Sequence, residues 1–90
     1  MTPAAAVHSL QDLIESMGLP TGVESSLEAP LKEAVHILND DNPSNDVAVC
    51  GKLGAFLHQV DAKEKSGKLG ASEAEELRLV ATRIQVKLGC

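Results

Sequence analysis

Apolar residues recur at three- and four-residue steps in four separate stretches of this chain, each closed by glycine, proline or a run of turn formers. In "AAAVHSLQDLIESMGLP", Val7, Leu10, Ile14 and Met17 fall on one helical face, the spacing of a helix with a single buried side. The stretch predicts a helix over about residues 4–17. It stops at Gly18, which adopts a left-handed C-terminal conformation without steric penalty, followed by Leu19 and by Pro20, which cannot continue it. "GVESSLEAPLKEAVHILND" predicts a second helix over about 22–39, with Val23, Leu27, Leu31, Ala34, Val35 and Leu38 on one side. Pro30 is its irregularity, because an interior proline removes one hydrogen bond and crowds the carbonyl four residues back. An N-cap at Ser25 or Ser26 would bring Pro30 close to the first turn, and a kink near Pro30 is expected.

"DDNPSND" is dense in turn formers. Asn45 is a suitable N-cap for a third helix, and Asp46 in its first turn suits the helix dipole. That helix is predicted over 46–65, with Cys50, Leu53, Leu57 and Val60 as its stripe and Phe56 beside them. Gly51 and Gly54 lie inside it, where glycine costs about 1 kcal/mol relative to alanine. They mark either neutral tolerance or the close approach of another helix. Gly67 ends the stretch. A fourth helix over 73–88 opens with Ser72 and Glu75 at capping-box spacing. It buries Leu77, Val80, Ala81, Ile84 and Leu88, keeps Arg78, Arg83 and Lys87 wet, and stops at Gly89. The pattern predicts an all-α fold, a small antiparallel bundle of four helices in one domain over 1–90, with 1–5 as a linker remnant.

The two cysteines, Cys50 and the terminal Cys90, acquire meaning from that register. The third and fourth helices are joined by a short loop and so lie antiparallel. With Lys65 facing Glu73, Leu88 falls opposite Cys50 and Cys90 two residues further on. The thiols then come within reach of the Cα separation of about 4.4–6.8 Å that a disulfide requires. A Cys50–Cys90 bond would staple the last helix against fraying, and it implies an oxidising compartment, secreted or surface-exposed. Two unrelated reduced cysteines are one alternative. A thiol-redox protein using Cys50 and Cys90 is another, although Cys-x-x-Cys spacing is missing.

Composition narrows the function classes. Phe56 is the only aromatic residue, so the core is Leu, Val, Ile and Ala, which suits packed helices better than a sheet. The formal net charge is −5. Lys52, Lys63, Lys65 and Lys68 are interleaved with Asp61 and Glu64 rather than clustered, which argues against nucleic acid as a partner. No apolar run approaches the ~20 residues of a membrane span. "MTPAAAVHSL" lacks a basic region and a long apolar core, so no signal peptide is read there. Met1 before a Pro/Ala stretch fits the start of a domain cut from a longer chain.

The entry "LPTGVESSL", then "LKEAVHILND", an Asn/Pro/Asp-rich loop, "NDVAVCGKLGAFLHQVDA", "GKLGASEAEELRLVATRI" and a final "LGC" together resemble the FIMAH domain. The resemblance runs from about Val7 to Cys90, and "AFLHQV" is its most specific stretch. It implies a small helical module appended to multidomain secreted or surface proteins of bacteria and archaea, and it carries no catalytic residues to transfer.

Candidate chemistry is sparse. Asp40, Asp41, Asn42, Ser44, Asn45 and Asp46 offer alternating oxygen ligands, and Asp40, Asn42, Ser44 and Asp46 make a candidate calcium loop. An EF-hand starting at Asp40 would require Gly and Glu where this chain has Asn45 and Gly51, and a turn plus helix cap explains the same residues. His8, His36 and His58 lie off their helices' apolar stripes and show no zinc-ligand spacing. Ile37 lies off the inward face of the second helix, and with Val47 or Val49 it is expected to form an exposed apolar patch. The reading is a non-catalytic accessory, interaction or spacer domain, not an enzyme, with no cofactor. Its expected partner is a protein or the neighbouring domains of a parent chain, at the cell surface or outside it.

Overall fold

The computed structural model describes residues 2–39 and 46–90. Four helices follow in order: α1 (Pro3–Ser16), α2 (Thr21–Leu38), α3 (Asp46–Lys65) and α4 (Ala71–Leu88). Among the described residues there is no strand. α1 borders α2 and α4, and α3 borders the same two, so the helices form a ring of antiparallel neighbours around one aliphatic core. Each contributes a stripe: Val7, Leu10 and Ile14; Val23, Leu27, Leu31 and Ala34; Val49, Leu53, Phe56 and Val60; Ala74, Leu77, Ala81 and Ile84. Leu69, in the α3–α4 turn, closes one end of that core.

Local chemistry explains most helix ends. α1 begins earlier than its apolar pattern predicts, because Thr2 accepts a hydrogen bond from the Ala5 amide at 3.2 Å and Pro3 occupies the first turn. Thr2-Pro3 is thus a helix start, and residues 3–5, read from sequence as linker, are its first turn. α3 and α4 both end in Schellman motifs. Gly67 and Gly89 adopt φ of 77° and 79°, a conformation open to glycine and costly for other residues. The following amides, Lys68 and Cys90, donate at 2.9 Å to the carbonyls of Lys63 and Gln85, five residues back.

Three sequence expectations are corrected. The N-cap of α2 is not Ser25 or Ser26, because the helix starts directly after Pro20, whose carbonyl accepts the Glu24 amide at 3.0 Å. Pro30 is therefore interior, and α2 runs through it uninterrupted. The Ser26 carbonyl loses its amide donor there, while Leu27, Leu31 and Ala34 hold both flanks in the core. At α4 the N-cap is Gly70, whose amide donates to the Glu73 carboxylate at 3.1 Å, and Ser72 lies inside the helix. Only the carboxylate half of a capping box operates, since Gly70 has no side chain to return the bond. In α3 the buried stripe is rotated by one position. Val49, Leu53, Phe56 and Val60 face the core, and Cys50 and Leu57 sit half-buried at its edge. The predicted cap Asn45 lies outside the described residues.

Gly51 and Gly54 are exposed, and a Cβ built on either would meet nothing within 4 Å. Among the described residues no other helix approaches them closely. Alanine at either position should therefore stabilise the fold by about 0.4–1 kcal/mol through the unfolded chain's lost freedom. Chemical denaturation of Gly51→Ala and Gly54→Ala checks this, and a lowered midpoint would show that α3 needs glycine there.

Candidate functional site

The α3–α4 seam is tied at both ends. Near the connecting turn, the Arg78 guanidinium donates to Asp61 Oδ1 at 2.9 Å and also engages the Glu64 carboxylate. At the far end Cys50 and Cys90 form a disulfide with a Cα separation of 5.8 Å. The bond follows from the two devices just described: the rotation of α3 sets Cys50 on the edge facing α4, and the Gly89 turn folds Cys90 back over the helix end. Cys50 is half-buried and Cys90 exposed. On the other side of α3, Lys52 Nζ lies 2.6 Å from Glu33 Oε2 on α2. Lys52 and Glu33 flank a groove with Lys32, His36 and Ile37.

Val49 does not belong to the predicted apolar patch. Val49 is fully buried, because the rotation of α3 turns it into the core, and Ile37 is half-buried against that core. Only Val47 remains exposed, at 77%. The exposed aliphatic surface that sequence reading missed is on α4, where Leu79 and Val86 stand 52% and 72% exposed, two turns apart. Their seven-residue spacing was available as a signal, but it was masked by the stronger inward stripe on the same helix. Beside the inner edge of α4, Ala6, Ser9, Val80, Arg83, Ile84 and Lys87 line a largely apolar groove between α1 and α4.

Asp40, Asn42 and Ser44 of the candidate calcium loop lie outside the described residues, and Asp46 is the first residue of α3. His8, His36 and His58 are exposed on three different helices. Among the described residues the one group whose ligand atoms converge is Glu15, Glu24 and Glu28, with oxygens all within 4.8 Å of one another. Glu15 is in the last turn of α1, and Glu24 and Glu28 are in the first two turns of α2. The turn through Gly18 and Pro20 brings the three together.

Glu28 is nine-tenths buried, with 9% of its surface exposed. Burial pushes its carboxyl above the ordinary value of 4.5, and the Glu15 and Glu24 carboxylates push it further, against a smaller opposing pull from Lys32. The native protein therefore binds this proton more readily than the unfolded chain. Stability from this group falls as pH rises from the ordinary carboxylate value through the raised one. Glu28→Gln should accordingly melt higher than the parent near pH 7 in the presence of a chelator, with the gap narrowing as pH is lowered through that window. Thermal melts of both proteins from about pH 4 to 8 check this; a pH-independent gap would mean that Glu28 acts through packing alone.

The chain matches no protein family, no curated protein and no solved structure in comparisons of sequence and fold. No helix among the described residues is long and apolar enough to cross a membrane.

Proposed function

We propose that this chain is a non-catalytic accessory module of a secreted or cell-surface multidomain protein. One observation carries the reading: the closed Cys50–Cys90 bond. Disulfides persist in oxidising compartments and are reduced in the cytosol of most cells, and this one anchors the terminus of the last helix where a bundle would otherwise fray. The resemblance to the FIMAH domain supports the same placement, as a module carried by larger secreted or surface proteins. Within that role the partner is a protein or a neighbouring domain. Leu79 and Val86 offer it an aliphatic contact on α4, and the net charge of −5 disfavours polyanions.

The reading is tested by trapping thiols in intact source cells with an alkylating reagent before lysis, followed by mass spectrometry of the peptides holding Cys50 and Cys90. The expected result is a disulfide-linked pair that resists alkylation until reduced. Both cysteines alkylated without reduction would overturn the extracytoplasmic placement.

A further inference from the structure

We propose that the groove between α1 and α4 is a docking site for an acidic amphipathic helix of a partner protein. The proposal rests on the reading of this chain as an interaction module and gives that module a partner of defined chemistry. The groove exists because the two helices meet with unequal side chains. Ala6 and Ser9 of α1 are too short to cover the flank of α4, which leaves Val80 and Ile84 as the aliphatic floor of a furrow of about 310 Å³. On α4 the lining residues Val80, Arg83, Ile84 and Lys87 follow the i, i+3, i+4, i+7 spacing of one helical row. Leu79 and Val86, both exposed, border that row, because each stands one turn from Arg83. The aliphatic surface therefore continues out of the groove, above and below Arg83 along the helix. An open furrow encloses a small ligand poorly. It suits a row of side chains from a helix laid across it, the arrangement by which amphipathic helices seat their apolar faces.

Charge selects which helix. Arg83 and Lys87 are exposed, and among the described residues neither is in an ion pair; the ion pairs there belong to Lys52 and Arg78. Glu76 on α4 and Asp12 on α1 pair with neither cation. Like charges one turn apart on a helix repel. A carboxylate set between them relieves that repulsion and accepts charge-assisted hydrogen bonds from the guanidinium. The amino end of α1 lies beside the carboxyl end of α4, so the two helix dipoles largely cancel and the two side chains set the local field. That field is positive in a chain whose net charge is −5. Charges elsewhere on the surface are screened beyond about 8 Å at physiological ionic strength, so they do not keep a carboxylate from seating there. The same two cations disfavour a second copy as occupant, since a two-fold contact would set Arg83 and Lys87 against their own counterparts. They are also too few for a polyanion, which needs an extended basic face.

Synthetic peptides of about 18 residues, ~27 Å long as helices, are the probes. One carries leucines at helical spacing flanked by glutamates, the second has lysines in place of those glutamates, and the third scrambles the acidic sequence to spread its leucines around the helix. Amide chemical shifts of the isotope-labelled, oxidised protein are followed during titration at ~0.15 M salt. The acidic peptide should bind saturably, roughly tenfold more tightly than either control. Its largest shifts should fall at Ala6, Ser9 and along α4 from Leu79 to Lys87. Arg83→Glu/Lys87→Glu should reverse the preference in favour of the lysine peptide. If that variant does not fold, Arg83→Gln/Lys87→Gln decides, with a loss of roughly tenfold expected for the acidic peptide.

No binding of the acidic peptide, or equal binding of the scrambled or lysine peptide, would overturn the proposal. So would shifts centred on another face, self-association of the chain through the α4 flank, or tighter attachment to phosphatidylglycerol vesicles than to the acidic peptide. The thiol-trapping result is separate. Reduced cysteines would remove the extracytoplasmic placement and leave the groove, whereas a failed titration would remove this partner and leave the placement.

Discussion

Reduction of the Cys50–Cys90 bond lowers the melting temperature by about 15 °C or more while leaving the helical signal at room temperature nearly unchanged. The bond joins residues separated by 40 positions. Closing a loop of that length removes about 4 kcal/mol of conformational freedom from the unfolded chain. A domain of this size holds a total stability on the order of 5–13 kcal/mol, and each kcal/mol is worth roughly 4–8 °C. The native contacts do not depend on the bond, because Leu77, Ala81 and Ile84 already seat α4 in the core and Arg78 ties it to α3. Circular-dichroism melts with and without reductant, and of Cys50→Ser/Cys90→Ser, measure the effect. Coincident melts would show that the bond contributes nothing to stability.

Phe56→Ala should cost about 3–5 kcal/mol, in line with aromatic truncation in a packed interior. Phe56 is the chain's only aromatic residue and the largest of its fully buried side chains. It lies in the central stripe of α3 between Leu53 and Val60, surrounded by aliphatic residues from the rest of the core. Its removal leaves a cavity that only rigid helix shifts could fill, and the Arg78 ion pairs and the disulfide restrain such shifts at α3. The substitution acts on the folded state and the disulfide mainly on the unfolded one, so their effects should nearly add. Oxidised Phe56→Ala is expected to fold with a lowered denaturation midpoint, and the reduced variant is expected to be largely unfolded at body temperature. A midpoint shift below about 1 kcal/mol would mean that the core collapses around the missing ring.

Four helices, their order and three of their stopping points were determined by the sequence itself. Periodicity in α1, α2 and α4 is strong because one face of each carries nearly all the large apolar residues, and Gly18, Gly67 and Gly89 each take the positive φ that ends a helix. The disulfide was also legible. A short α3–α4 turn forces antiparallel packing, and that register brings Cys90 into the neighbourhood of Cys50, where the rotation of α3 and the Gly89 turn close the approach.

Tertiary packing decided what local pattern left ambiguous. Apolar residues surround α3 on every side, so Val49 and Cys50 are equivalent candidates for the core by spacing. Burying Phe56 with Leu53 and Val60 in one stripe favours Val49, and this choice removed Val49 from the expected patch. At the start of α4, Gly70/Glu73 and Ser72/Glu75 both have capping spacing, and the inward seat of Leu69 fixed the shorter turn. Glu24 and Glu28 are visible as one-turn neighbours on a helix. Glu15 joins them only when the α1–α2 turn folds back, because proximity between different helices is a property of the packed chain, and no one-dimensional period encodes it.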